Sequence, residues 1–423
     1  MPGKIAILHY TCPPVVGGVE TIMAAHARLF AAAGYEVTLF AGRGPVPTSE
    51  QPNIRTVIEP LIDSKNERLL ELNRDLDRGE LPAGFEAFKQ EIYRNLLPQL
   101  QGFDACFVHN AFTLHKNLPL TAALFDLARD LPGTKFVAWC HDLAWTNELY
   151  APVMHNGYPW DLLRTAAPGV TYVAISPQRQ TEILEAFRPA PPAEAVPVVP
   201  NGMAYADFKK LGAETRQMLE QTGLAAAQRH GAWLLLLPAR LTRRKNVELA
   251  VRVVAAFKEM QHPVRLVVTG PPGPHNPKND EYVRELLALR EKLDVNQEVV
   301  FLMEAWQDTA GLPRTLGDET IADLYRAADM LFFPSTQEGF GLPIIEAGLT
   351  RLPIFCTRLA PFEEIAGDTL SYFEPSDSPE KIARQIIEEC GANRQFRLCR
   401  QVLENYTWES IFENQIIPLA LNM

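Results

Sequence analysis

The chain has 423 residues, of which 47% are hydrophobic and 22% charged, and its formal net charge is -11. Such a balance builds globular domains round buried cores and speaks against a nucleic-acid partner. The length exceeds one ordinary core and fits two domains of about 200 residues each.

Residues 1–203 hold 16 Lys+Arg against 21 Asp+Glu, so no basic excess hides in the first half. Totals leave a local basic patch for a membrane surface open. The opening Met1-Pro2-Gly3-Lys4 leads straight into an apolar run without the layout of a secretory signal. No apolar run approaches the ~20 residues that span a bilayer. The expectation is therefore a cytoplasmic protein without a transmembrane segment, peripheral to a membrane at most. Cysteines 12, 106, 140, 356, 390 and 399 have no paired spacing of the zinc or dithiol kind.

In chain order, the apolar run Lys4–His9 predicts a strand, followed by a loop that contains Gly17-Gly18. A helix from about Gly18 to Ala33 and a strand over 35–41 come next, which opens a parallel α/β sheet. The loop lacks the G-x-G-x-x-G spacing of a dinucleotide site. Glycines at a helix start let a backbone approach a phosphate, or simply make a tight turn. Residues 45–60 read as loop, and helices are predicted near 66–78 and 85–97. Asp75 and Asp77 sit in a charged, solvated helix rather than a metal site. Strands over 104–108 and 135–140 end at His109-Asn110 and His141-Asp142, where open α/β sheets bind ligands, unless these are buried, hydrogen-bonded structural histidines. The loop 143–168 is rich in aromatic residues that either stack on sugar rings or pack on the surface. A strand over 171–175 precedes a helix with Ser176 as its cap and Pro177 at its first position. A Pro-rich run then leads to Pro200-Asn201-Gly202 and the domain junction.

The second half repeats the alternation. A strand over 233–237 leads into Arg240-Leu241-Thr242-Arg243-Arg244-Lys245, an exposed cationic loop before a helix. Within it, Arg243 and Arg244 are expected to face solvent. Strands follow over 264–269 and 298–302, with an external loop at 274–279 between them and Met303-Glu304 just after. A helix over 319–328 precedes the strand Met330–Phe333. Then comes Glu338-Gly339-Phe340-Gly341-Leu342-Pro343-Ile344-Ile345-Glu346, a turn through two glycines into a helix opened by Pro343. Free amides and the helix dipole converge there on an anion, and the flanking carboxylates Glu338 and Glu346 suit sugar hydroxyls. Phosphate flanked by hydroxyl-bearing rings describes a nucleotide sugar. A glycine turn with a dipole-placed Glu346 is the plainer alternative. The end, Tyr406 to Phe412, carries aromatic anchors at helical spacing.

The Glu-Gly-Phe-Gly-Leu-Pro stretch, with a second Glu eight positions after the first, resembles the signature of family 4 retaining glycosyltransferases. That resemblance implies an α/β GT-B fold: two Rossmann-like domains facing a central cleft, residues 1–203 and 204–405, with 406–423 returning to the first. It implies an enzyme that moves a sugar, a hexose in the first instance, from a nucleotide-sugar donor to an acceptor hydroxyl. Retention of configuration and no cofactor or metal are expected. By resemblance, Arg240, Lys245, Gly17, Gly18 and the amides of Gly339, Phe340, Gly341 and Leu342 meet the donor diphosphate. Glu338 holds hydroxyls of the transferred sugar, Glu346 the ribose, and Met303-Glu304 the base. His141 and Asp142 border the acceptor side. A GT-B phosphorylase, a nucleotide-sugar epimerase and an inactive nucleotide-sugar binding module are the alternatives.

Overall fold

The computed structural model describes residues 3–14, 17–45, 52–271 and 278–421. It divides into two compact units, Met1–Gly202 with Ile411–Met423, and Met203–Ser410. The first holds a parallel sheet of β1 (Lys4–Thr11), β2 (Glu36–Arg43), β3 (Ile54–Ile58), β4 (Ala105–His109), β5 (Lys135–Cys140) and β6 (Val170–Ala174), in the order β3-β2-β1-β4-β5-β6. The second holds β7 (Trp233–Leu237), β8 (Val264–Val268), β9 (Val299–Phe301), β10 (Met330–Phe333), β11 (Ile354–Thr357) and β12 (Ser371–Phe373), in the order β12-β11-β10-β7-β8-β9. Counted from its own first strand, each sheet has the same doubly wound order, 3-2-1-4-5-6.

Central strands buried on both faces must be apolar at nearly every position. Ile5 to Leu8, Phe107 and Val108, and Leu331 to Phe333 are accordingly wholly buried. The sheet order reverses between β1 and β4 in one unit and between β7 and β10 in the other. Pairing of Leu8 with Val108 and of Leu236 with Leu331 carries the registers up to those two reversals. A crevice at the carboxyl end of such a reversal is where this architecture binds ligands.

Behind the second sheet, the carboxylate of Asp329 accepts the Leu234 amide at 2.7 Å and Arg400 at 3.0 Å. This buried pair ties the Arg394–Asn405 helix to β7 and β10.

Several expectations shift. β3 lies inside the stretch read as loop. It is an edge strand of half-exposed residues, with Arg55 and Thr56 interrupting its apolar pattern. The return to the first unit begins at Ile411 rather than Tyr406, because Tyr406 and Trp408 bond to the Met203 backbone and stay with the second. From there the chain runs through Phe412–Ile416, a wide π-helical turn, into Ile417–Leu421. The expected loop at 274–279 falls largely outside the described residues, and a helix is under way from Lys278.

Candidate functional site

In the second unit, the loops after β7 and β10 meet beyond the sheet reversal. The amide and hydroxyl of Thr336 both donate to the Arg244 carbonyl, at 2.8 and 3.2 Å. This crossing brings Lys245 onto Glu338. The ammonium is ion-paired with Oε1, the Ser335 hydroxyl donates to the same oxygen at 2.7 Å, and Arg244 reaches Oε2 at 3.3 Å. Both partners are nearly sealed, with 11% of the Lys245 and 9% of the Glu338 side chain exposed. Lys245 is therefore not the exposed loop cation that the sequence suggested. Its ammonium also lies 4.8 Å from the centre of the Phe333 ring, a cation–π contact. Arg244 is exposed, as expected, and its guanidinium also pairs with Glu338. Arg243 pairs with Glu285 on the surface, as expected of a solvated cation.

Arg240 is exposed and has no ion pair among the described residues. Its neighbour Ala239 is fixed by close backbone approach, for a Cβ on Gly270 would stand 2.1 Å from the Ala239 carbonyl oxygen. The helix after β10 spans Leu342–Leu349, one residue earlier than predicted, and Pro343 takes its second position. Gly341 precedes it at φ +119, and a Cβ there would press on the Phe362 ring at 2.9 Å. Only glycine fits. Gly339 borders open space, and the Phe340 and Leu342 side chains are exposed. One turn on, the Tyr325 hydroxyl donates to Glu346 Oε2 at 2.6 Å. Met303 and Glu304 lie on the short Leu302–Ala305 helix after β9, where Glu304 pairs with Arg290 at 2.7 Å.

The first unit has a different carboxyl edge. Gly17 caps the Gly18–Ala32 helix without a side-chain bond, and Glu20 occupies the third helical position. The Glu20 carboxylate folds back, hydrogen-bonded by Thr11, to where a Cβ on Gly17 would stand 2.1 Å from it. A side chain at position 17 would displace only the flexible end of Glu20, and the extended backbone there suits any residue. Gly18 is exposed and nothing stands within 4 Å of a Cβ there.

At the ends of β1, β4 and β5, His9 Nδ1 donates to the His109 carbonyl at 3.0 Å, and His109 Nδ1 meets His141 Nε2 at 3.0 Å. His26 lies beside them, its ring 5.4 Å from that of His109. Burial lowers the pKa of all four: to about 3 for His26 and His141, well below 6.5 for His109, and downward for His9. Asn110, left-handed at φ 60, accepts the His141 and Asp142 amides at 2.9 and 3.1 Å. It also reaches the Asp142 carboxylate at 3.4 Å.

The aromatic loop after β5 packs on its own unit. Trp145 donates to the Trp160 carbonyl at 3.1 Å beneath the Arg164 guanidinium, and Tyr158 bonds Glu86 at 2.7 Å.

Residues 16–204 match the model of glycosyltransferase family 4, and residues 225–390 that of the group 1 glycosyl transferases. The chain belongs to the group 1 glycosyltransferases. Mannosylglucosylglycerate synthase of Thermotoga maritima is 22% identical over 91% of this chain and 90% of its own length. An MMP alpha-(1->4)-mannosyltransferase of Mycolicibacterium hassiacum is 24% identical over 96% and 95%. O-antigen chain mannosyltransferase B of Escherichia coli is 40% identical over 22% of this chain and 25% of its own. Among solved structures, Anabaena HepE in complex with UDP and glucose is 18% identical, with TM-score 0.34 over 99% of each chain.

In this glycosyltransferase, Ser335, Tyr325, Glu20, His9 and His26 join the site without being singled out by local sequence pattern. Ser335 and Glu20 each stand three residues from a residue singled out, and His9 ends a predicted strand. Those spacings were the available signal. Among the described residues no helix is long and apolar enough to cross a membrane, and no cluster of three His, Cys, Asp or Glu could hold a metal ion.

Proposed function

We propose that the enzyme moves a hexosyl group from a nucleotide-diphosphate sugar to a hydroxyl of a sugar-type acceptor, with retention of configuration and without a metal. The names of the full-length relatives favour mannose as the hexose. The observation that carries the reading is the Lys245–Glu338 pair beside the helix start at Leu342. Lys245 and Arg244 together outweigh the one carboxylate, and Arg240 adds a cation with no ion pair of its own among the described residues. That leaves net positive charge beside backbone amides, which suits a diphosphate leaving with added negative charge.

Retention is supported by the state of Glu338. A carboxylate has about four acceptor sites, and Lys245, Ser335 and Arg244 already occupy three. Held so, it is a poor nucleophile but can still accept a sugar hydroxyl. Double displacement through Glu338 is thereby disfavoured. Departure and attack on one face, with the leaving phosphate taking the acceptor's proton, need no side-chain base. Glu346, already an acceptor for Tyr325, suits the ribose hydroxyls.

The test is the release of nucleoside diphosphate from α-linked mannose and glucose donors with an acceptor, followed by NMR of the anomeric proton in the first product. An α-linkage is expected. A β-linkage would overturn retention, and turnover of the sugar without any acceptor would point to an epimerase.

A further inference from the structure

His9, His109 and His141 stand at the ends of β1, β4 and β5, which are neighbours in the sheet. A backbone carbonyl only accepts, so the bond from His9 Nδ1 to the His109 carbonyl fixes the His9 proton on Nδ1. Its Nε2 is then a bare lone pair. His109 has one ring nitrogen on His141 Nε2 and the other, its own Nε2, buried without a hydrogen-bond partner. Two arrangements satisfy the His109–His141 bond. If His141 donates, His109 must keep its proton on the sealed nitrogen, an orphaned N–H. If His109 donates, the sealed nitrogen is only an unused lone pair. Orphaned buried donors are the costlier and rarer case. Burial keeps the three rings neutral near pH 7, so each carries one proton.

We infer that His109 is a positioning residue that fixes the ring proton of His141 on Nδ1, so that this edge offers ligands a donor at His141 and an acceptor at His9. His109 is wholly buried, whereas His9 and His141 keep 6% and 7% of their surface exposed. A donor and an acceptor at neighbouring strand ends match hydroxyl groups, which do both. They do not match a phosphate, which at neutral pH mainly accepts. That the hydroxyls belong to a sugar rests on the transferase reading above; the position of the proton does not. One consequence concerns the chemistry: with Nδ1 protonated and Nε2 already accepting from His109, His141 has no free lone pair to act as a base.

The test is a long-range 1H–15N correlation spectrum of the full chain labelled on histidine, without ligand, at pH 7.5. Assignments come from His9→Gln, His109→Asn and His141→Gln. The expected result is a proton on Nδ1 in all three rings, the opposite of the tautomer that a free histidine side chain favours. His109→Phe should return His141 to the Nε2–H form and lower kcat/KM about 3- to 10-fold, the worth of one hydrogen bond. His109→Asn, whose amide nitrogen can stand near the former Nδ1, should restore both. A wild-type His141 with its proton on Nε2 overturns the inference, whatever the activity. Unaltered kcat/KM in His141→Ala, with the tautomers as expected, would instead sink the placing of a sugar at this edge.

Discussion

At the carboxyl edge of β7 and β10, Lys245 and Arg244 both form ion pairs with Glu338. At the matching edge of β1, β4 and β5, four histidines are pushed toward neutrality by burial. The two sheets have the same strand order and the same reversal point. What differs is how the polar groups placed there are satisfied. Under the proposed function, a carboxylate held by two cations and a hydroxyl leaves net positive charge that suits a phosphate. On the inference drawn above, a row of neutral rings leaves donors and acceptors that suit uncharged hydroxyls. The fold provides the position, and on that reading the side chains divide recognition between charge and hydrogen bonding.

The largest expected effect tests the charged edge. Arg240→Ala and Lys245→Ala should each lower turnover by about 10²–10³-fold, the range for losing a charge ligand to the transition state. Near-normal rates in both variants would remove them from the site and erase the contrast between the edges.

Stability should separate the same two variants. Lys245→Ala leaves the Glu338 carboxylate nearly buried with only exposed Arg244 as a cationic partner, and should cost about 3 kcal/mol in urea unfolding. Arg240→Ala removes an exposed cation and should leave unfolding within about 0.5 kcal/mol of the parent. Equal losses would mean that the Lys245–Glu338 pair has no structural weight.

The neutral edge predicts acid sensitivity. The four histidines bind protons less readily when folded than in the unfolded chain, where their pKa is about 6.5. Unfolding then takes up protons below that value, so stability falls as pH drops below about 6.5 and is flat above about 7.5. His115, lowered to about 4, and His262, also lowered, add in the same direction. Each contributes a slope of up to about 1.4 kcal/mol per pH unit. Urea midpoints between pH 8 and 5.5 check this, and His26→Phe should reduce the slope even if it also lowers stability throughout. A flat profile would contradict the burial of the cluster.

The smallest effect concerns metal. If cations and amides meet the leaving group's charge, excess EDTA should leave turnover unchanged. Loss with EDTA and recovery with Mg²⁺ or Mn²⁺ would show a metal site at one of the edges.

The strands of both sheets were legible where they are central, because burial on both faces forces an unbroken apolar run. Trp233–Leu237, Met330–Phe333 and Lys135–Cys140 emerge from sequence with the bounds they have in the fold. Ile54–Ile58 did not, since an edge strand needs apolar residues on fewer positions and this one follows a proline-rich stretch. Of the site, the residues at strand ends could be read, because position along a strand is local information. Their partners could not. Glu338 and Lys245 are 93 residues apart, and nothing in either segment announces the other. The contact of His109 with His141 depends on β4 lying beside β5, which strand order decides and local pattern does not. Gly17 could be singled out, but not the carboxylate of Glu20 that lies against it.

The return of Ile411–Met423 to the first unit has a consequence for biogenesis. Phe412 stacks edge-on with Phe30 at 5.0 Å, and Ile411 and Ile416 are wholly buried. The apolar face of the first unit that receives them is therefore made early and covered late. All of Met203–Ser410 must be synthesised in between, roughly 10–40 s at ribosomal rates of about 5–20 residues per second. Over that interval the nascent chain displays Phe30 and its surroundings to any apolar surface nearby, including another copy on the same message. The unit that leaves the ribosome first is therefore the last to be completed.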